Sequence, residues 1–320
     1  MPSLDQRKMQ TIETNLLTNS IGTPKELLDL SVVVVSWNTK DLLDRSLATL
    51  KEELGRLDKS HEVYVVDNDS KDGSAAMVAQ KHPWVNLIAN DDNLGFAKAN
   101  NQVLRIAKGK NILLLNPDTE VKPGALSVLI DLLNSRPDIG VVAPQLLNSD
   151  GSIQRSCRQF PTFTGMLFEL IGLSKLFPKG SSYGAKFRAY KMLDWDHDDK
   201  REVDQPEGAC LLVKREVFQE VGILDEGYFM LFEEVDWCFR VKNAGWQIWF
   251  TPEAQVLHHY GQSIKQVKVK MIISSHRGLY RFWKKHYRKN RWYLDWFAYS
   301  SLMALAYARI ASYKIRSIFS

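Results

Sequence analysis

Five stretches of this sequence place polar side chains where they could do chemistry. Ile112-Leu113-Leu114-Leu115-Asn116-Pro117-Asp118 reads as a buried strand stopped by Pro117, which has no N–H for a sheet ladder, and it ends on the Asp118 carboxylate. An acid at the carboxyl end of a strand lies where open α/β sheets gather ligands. There it can hold a divalent cation, and the cation a diphosphate; the plain alternative is a turn or capping aspartate. Glu62-Val63-Tyr64-Val65-Val66-Asp67 also ends on an acid, beside the strand that runs into Ser36-Trp37-Asn38-Thr39. Asp67 and Asn38 could accept from base N–H and ribose hydroxyl groups, whereas Asp69, Ser70, Asp72 and Gly73 have the chemistry of turns.

In Asn93-Leu94-Gly95-Phe96-Ala97-Lys98-Ala99-Asn100-Asn101, Gly95 permits a tight turn and close backbone approach to a ligand. The helix that follows offers free N–H groups and a positive dipole end, both suited to phosphate. It is neither a P-loop nor a dinucleotide fingerprint, since the Gly-Lys-Ser/Thr ending and the three spaced glycines are missing. In Phe229-Met230-Leu231-Phe232-Glu233-Glu234-Val235-Asp236-Trp237-Cys238-Phe239-Arg240, three acids crowd the start of a helix, where its dipole favours them. Arg240 stands four residues after Asp236 and can pair with it, which leaves Glu233 and Glu234 unclaimed. A carboxylate beside Phe232 and Trp237 would have a raised pKa and could serve as a base. Finally, His258 or His259 at a strand end is an ordinary metal ligand, and one of the two is expected to be merely packed or exposed.

The elements that must position these groups alternate. Strands are expected over 31–36, 62–67, 85–88 and 111–115, with helices over 41–54, 74–80, 96–107 and 124–133 between and after them. This order implies a largely parallel sheet with right-handed crossovers. An apolar run at 141–144 precedes a long irregular region, 148–204, of the kind that usually carries function. Order returns with a strand over 209–213, helices over 215–221 and 231–244 (the second capped by Gly245), and strands over 247–250 and 255–258.

Of the 320 residues 45% are hydrophobic and 25% charged, enough for one large domain with an extension. The net charge of +5 is unevenly spread. After Glu253 thirteen Lys and Arg face the single acid Asp295, an excess of twelve, so the first 253 residues carry a net charge of about −7. Cys157, Cys210 and Cys238 form no disulfide framework or zinc spacing, which points to a reducing compartment. The polar N-terminus shows no signal-peptide pattern.

Together these marks resemble glycosyltransferase family 2. They are Val35-Ser36-Trp37-Asn38, Val66-Asp67-Asn68-Asp69-Ser70, Asn93-Leu94-Gly95-Phe96-Ala97, Leu115-Asn116-Pro117-Asp118, Gly222-Ile223-Leu224-Asp225-Glu226, Glu233-Glu234-Val235-Asp236 and His258. The resemblance runs from about residue 30 to 263 and is greatest to the rhamnosyltransferases of bacterial polysaccharide assembly. It implies an α/β GT-A fold with a Rossmann-like, mostly parallel sheet. Residues 1–29 would be a polar arm, 30–145 a nucleotide-binding half, 146–263 an acceptor and catalytic half, and 264–320 a basic amphipathic extension. It implies an inverting sugar transfer from dTDP-L-rhamnose, or from a UDP- or GDP-sugar, to a lipid-linked saccharide, aided by Mg²⁺ or Mn²⁺. Donor contacts would come from Ser36, Asn38, Asp67, Asn93, Gly95, Asn100, Asn116, Asp118 and Gly208. Asp118 matches the last acid of the family's Asp-x-Asp motif, whose first acid is Asn116 here, so His258 would be the second protein ligand. Glu234 falls where the family has its catalytic Asp, with Glu233 as the other candidate base.

Two other function classes make different demands on the sequence. A nucleotidyltransferase should have a Gly-rich phosphate loop after the first strand, where this chain has Ser36-Trp37-Asn38-Thr39. A non-catalytic membrane-docking module would rest on the C-terminal region alone. There, 281–292 interleaves cations with aromatics and 296–308 is uncharged and apolar. At about 1.5 Å per residue the second run spans only around 20 Å, short of a bilayer core. A helix lying in the membrane interface, on the cytoplasmic face, is therefore expected. Docking on the body ranks second and nucleic acid a distant third. Oligomeric state is left open, a homo-oligomer included.

Overall fold

The computed structural model describes residues 21, 26–162, 188–259, 267–288 and 295–316. Most of the N-terminal arm, the middle of the 148–204 region, and residues 260–263 and 289–292 of the sequence-based expectations lie outside them. β1 (Leu28–Ser36) is a β-branched run because both of its faces are covered. Val33 and Val35 enter one buried cluster and Val32 and Val34 the other. α1 (Lys40–Arg56) lays Leu43, Leu47, Leu50 and Leu54 at helical spacing on the second cluster. β2 (His61–Asn68) pairs in parallel with β1, Ser36 standing opposite Asp67. α2 (Ser74–Lys81), β3 (Asn86–Asn90), α3 (Phe96–Leu104) and β4 (Gly109–Leu115) continue the alternation, with β4 parallel to β1 on its other side.

After β4 come a short β5 (Thr119–Val121), α4 (Ala125–Ser135) and β6 (Ile139–Leu147), whose nine residues are all buried. Among the described residues of the irregular region and just after it, the strands are two residues long: β7 (Ile153–Gln154), β8 (Cys157–Arg158), β9 (Arg201–Glu202) and β10 (Gln205–Pro206). β11 (Cys210–Lys214) then inserts between β4 and β6, antiparallel to both. α5 (Arg215–Val221) and α6 (Glu233–Asn243) cover the first cluster, where the fully buried rings of Phe218 and Trp237 stack at 4.7 Å. Each side chain buried on this scale contributes about 2–3 kcal/mol. The two strands expected over 247–258 are one, β12 (Gln247–His258), with a register shift between Thr251 and Gln255. The sheet order is β3-β2-β1-β4-β11-β6-β12-β5. α7 (Lys268–His286) and α8 (Asp295–Arg316) complete the described chain and pack on one another.

Candidate active site

The carboxyl ends of β1, β2 and β4 meet one cleft of about 870 Å³, measured to its open mouth. β11 reaches it with its amino end, because its antiparallel run sets Cys210 opposite Leu115. The Asn116 N–H donates to the Ala209 carbonyl at 2.8 Å and so ties the two strand tips together. Asn116, Asp118, Glu207, Gly208, Glu233, Glu234 and His258 all line the cleft, so Asp118 and Glu234 open onto one shared hollow.

Asp118 is held from both sides. Its carbonyl accepts the His259 N–H at 2.8 Å, and the Thr119 hydroxyl donates to the Asn116 carbonyl at 2.7 Å. Its Oδ1 stands 3.4 Å from Nε2 of His258, and both side chains are buried. His258 Nδ1 sits 2.8 Å from Gln154 Oε1 and can donate to it, while Nε2 carries a proton toward Asp118 in the imidazolium form and becomes a ligand atom once that proton is lost. Burial opposes a charged imidazole there. The hydrogen bond and charge of Asp118 and the charge of Glu207 outweigh it, and the His258 pKa is raised. The spot favours positive charge. Among the described residues no third His, Cys, Asp or Glu joins the pair. That donor set fits a divalent cation whose remaining positions are filled by diphosphate oxygens and water. His259 is engaged elsewhere, with Nε2 2.8 Å from Glu120 Oε1.

The opposite wall is strained. Leu231 and Phe232 both adopt left-handed backbone, at φ of 69° and 86°, which is unusual for bulky residues. The helix expected from residue 231 therefore begins at Glu233, and the reversal turns Glu233 and Glu234 toward the cleft. Glu233 is buried, with Oε2 lacking any hydrogen-bond partner. Burial and the adjacent Glu234 charge push its pKa well above the ordinary carboxylate range. Glu234 is half-buried, and its pKa is raised by burial and by the charge of Glu207. A Cβ at Gly208 would come within 3.4 Å of Glu234 Cβ, so the glycine keeps space beside that carboxylate. Asp236 pairs with Arg240 at 2.9 Å, as the spacing requires, and also receives Lys285 at 2.9 Å and His286 at 2.8 Å.

Several expected donor contacts are used locally. The Ser36 hydroxyl pairs with Thr39 Oγ1 at 3.0 Å, and Asn38, itself left-handed at φ of 51°, accepts the Lys71 N–H at 2.7 Å. Neither lines the cleft. The close approach at Gly95 is to Phe229: a Cβ there would lie 2.2 Å from the Phe229 carbonyl oxygen, which accepts the Phe96 N–H at 2.9 Å. Asn100 donates to the Phe96 carbonyl of its own helix at 2.9 Å and is not on the cleft wall. Asn93 does line the cleft, its Oδ1 accepting the Gly95 N–H at 3.0 Å. Asp67 accepts the Ser70 N–H at 3.0 Å through Oδ2, while Oδ1 is buried without a hydrogen-bond partner; its side chain does not line the cleft, which its neighbour Asn68 does.

Sequence reasoning missed Glu207, Trp37, Asn68 and Met230 on the cleft wall. The signal for Glu207 was an acid just before a strand that, run antiparallel, starts at the Asp118 end.

With the geometry in place, comparison with known proteins decides the family. The Glycosyl transferase family 2 model matches residues 31–222. The chain belongs to glycosyl transferase family 2. This transferase is 30% identical over 265 residues to the N-acetylglucosaminyl-diphospho-decaprenol L-rhamnosyltransferase of Mycobacterium tuberculosis, covering 79% of this chain and 83% of the relative. It is 25% identical to the rhamnosyltransferase WbbL of Escherichia coli K12, over 71% of this chain and 82% of WbbL. The mannosyltransferase PcManGT of Pyrobaculum calidifontis, solved with GDP-Man and Mn²⁺, shares the fold at a TM-score of 0.53 and 16% identity, over 98% of this chain and 87% of that one. The transferase is thus a GT-A glycosyltransferase with a mostly parallel central sheet.

The basic C-terminal region of the transferase divides in two. α7 is docked on the body, the alternative to a membrane-interface helix that the sequence left open. Arg281 reaches Asp225 at 2.7 Å, and the Ser274 hydroxyl donates to the Met230 carbonyl at 2.7 Å. A Cβ at Gly278 would meet the Phe232 ring at 2.9 Å. α7 therefore braces the strained residues ahead of Glu233. α8 packs Leu302 on Leu279 but leaves Trp296, Phe297, Tyr307 and Ile315 exposed. No described helix is long and apolar enough to cross a membrane.

Proposed function

We propose that this transferase moves L-rhamnose from dTDP-L-rhamnose to a hydroxyl of a lipid-linked saccharide, with inversion and with the help of a divalent cation. The observation that carries the reading is a single cleft in which the Asp118–His258 pair faces the Glu233–Glu234 pair. The relative from Mycobacterium tuberculosis, named for L-rhamnose transfer to a diphospho-decaprenol acceptor, supports the donor and acceptor class.

Four acids, Asp118, Glu207, Glu233 and Glu234, line the cleft and would repel a diphosphate unless a cation intervened. Asp118 and His258 would hold Mg²⁺ or Mn²⁺, which when bound would neutralise the charge of the departing diphosphate. Trp37, Asn68, Asn93 and Asn116 shape the wall that would hold the nucleoside. Glu233, the more buried of its pair and beside the Glu234 charge, is the harder of the two acids to ionise. Glu234, left ionised, takes the proton of the acceptor hydroxyl as its oxygen bonds to the anomeric carbon and the bond from that carbon to the diphosphate breaks on the opposite face. Gly208 leaves room for the acceptor beside it. The exposed aromatic face of α8 would rest on the inner face of the cell membrane, where the acceptor lies.

A thermal-shift screen of dTDP-, UDP- and GDP-sugars with Mg²⁺ or Mn²⁺, followed by turnover on an N-acetylglucosaminyl-diphospho-polyprenol acceptor, tests the reading. A donor that binds only the native state must raise Tm. dTDP-L-rhamnose should give the largest metal-dependent shift and should turn over. A larger shift and turnover with another sugar nucleotide would replace the donor assignment.

A further inference from the structure

A second hollow lies on the other side of the 227–231 segment, between it and α7. It measures about 940 Å³ to its open mouth and shares Leu231 with the catalytic cleft. Its α7 wall is one helix face, with Lys270, Ser274 and Arg277 among the lining residues. The cations along this face divide sharply. Arg281 and Lys285 are met by Asp225 and Asp236. Among the described residues no carboxylate meets Lys270 or Arg277. Lys270 lies over the Phe229 ring, 3.9 Å from its centre, and Arg277 is exposed. Two uncompensated cations over a floor of Tyr228, Phe229 and Leu231 form a site for an anion with an apolar substituent.

We propose that this hollow seats the phosphate groups of the acceptor, Lys270 and Arg277 holding the anion while the acceptor sugar passes Leu231 toward Glu234. The assignment rests on the acceptor being a lipid-linked diphosphate. Leu231 is three residues before Glu234 and lines both spaces, so an acceptor anchored in one presents its sugar to the other. The apolar floor then takes the first part of the lipid chain. Anionic lipid headgroups have the same chemistry, and the experiment separates the two sources.

The wild type and Lys270→Ala/Arg277→Ala are assayed with three acceptors of one sugar: a diphosphate on a short water-soluble alkyl chain, the polyprenyl diphosphate in detergent, and an alkyl glycoside without phosphate. The wild type should prefer both diphosphates to the glycoside. The double variant should lose that preference, its KM for the soluble diphosphate rising about ten-fold while donor KM moves less than about two-fold. Lys270→Arg/Arg277→Lys should recover most of the preference. A double variant that keeps the wild-type preference overturns the assignment. So does one that fails only when anionic vesicles are present and is normal with the soluble acceptor, since the hollow is then a headgroup site. A wild type that uses the glycoside as well as either diphosphate, or no acceptor at all, overturns the lipid-diphosphate reading and this assignment with it.

Discussion

The two walls of the cleft are built in opposite ways. Asp118 stands at the tip of a central strand, stopped by Pro117, with backbone hydrogen bonds to β11 and to His259 on either side. Glu233 and Glu234 stand after two left-handed residues, with Glu233 Oε2 buried and unpartnered. One wall is set by the sheet. The other is held in a costly shape by contacts from elsewhere: Gly95 against Phe229, and α7 against Met230 and Phe232. A cation site on a rigid strand tip can be local, whereas a base with a raised pKa needs burial and strain that only long-range packing can maintain.

Substitutions that act on one wall at a time sharpen that contrast. Asp118→Ala should have the largest effect, a loss of about 10³-fold in kcat with little change in Tm, because it removes a cleft carboxylate and leaves the strand tip tied through backbone groups. Steady-state kinetics and a melting curve read both. Asp236→Asn should act the other way, through the fold. Asp236 is buried and its pKa is lowered to about 2, since the hydrogen bonds and charges of His286, Arg240 and Lys285 overcome its desolvation. Losing that charge among its partners should cost about 3 kcal/mol in denaturant unfolding. A depressed carboxylate stabilises the fold above its unfolded pKa, so the wild type should lose this contribution as pH falls from about 4 toward 2.

Gly278→Leu should cost about 2 kcal/mol by crowding Phe232 and should lower kcat more than donor KM, since it disturbs only the strained wall. Glu233→Gln should have the smallest effect. A buried acid with a raised pKa binds more protons folded than unfolded, so its contribution is fullest at low pH and is lost as pH rises through the folded value. The variant should flatten the decline of Tm as pH rises above the ordinary carboxylate range, and a slope equal to the wild type would remove Glu233 as a buried acid of raised pKa.

The same contrast explains what could be read from the sequence. The Asp118 wall was legible because its cause is local: an apolar run, a proline and an acid within seven residues, in a chain whose strands and helices alternate. The helix bearing Glu233 and Glu234 was legible from its periodicity. Its true start was not, because left-handed backbone at Leu231 and Phe232 is imposed by α7 from more than forty residues away. Ser36, Asn38 and Asn100 drew notice as polar groups near strand tips or a helix start, but their hydrogen bonds close within neighbouring turns, which one-dimensional spacing does not reveal. The docking of the basic helix was illegible for a related reason: spacing along the chain does not show that Asp225 and Asp236 lie against Arg281 and Lys285.

The division of labour between the walls is tested most directly by Glu234→Gln, measured for transfer and for donor binding together. The account predicts a fall of about 10³-fold in kcat, with the metal-dependent rise in Tm on adding donor preserved, because the Asp118 wall is intact. Transfer within about ten-fold of the wild type would contradict it, since no base on the strained wall would then be needed.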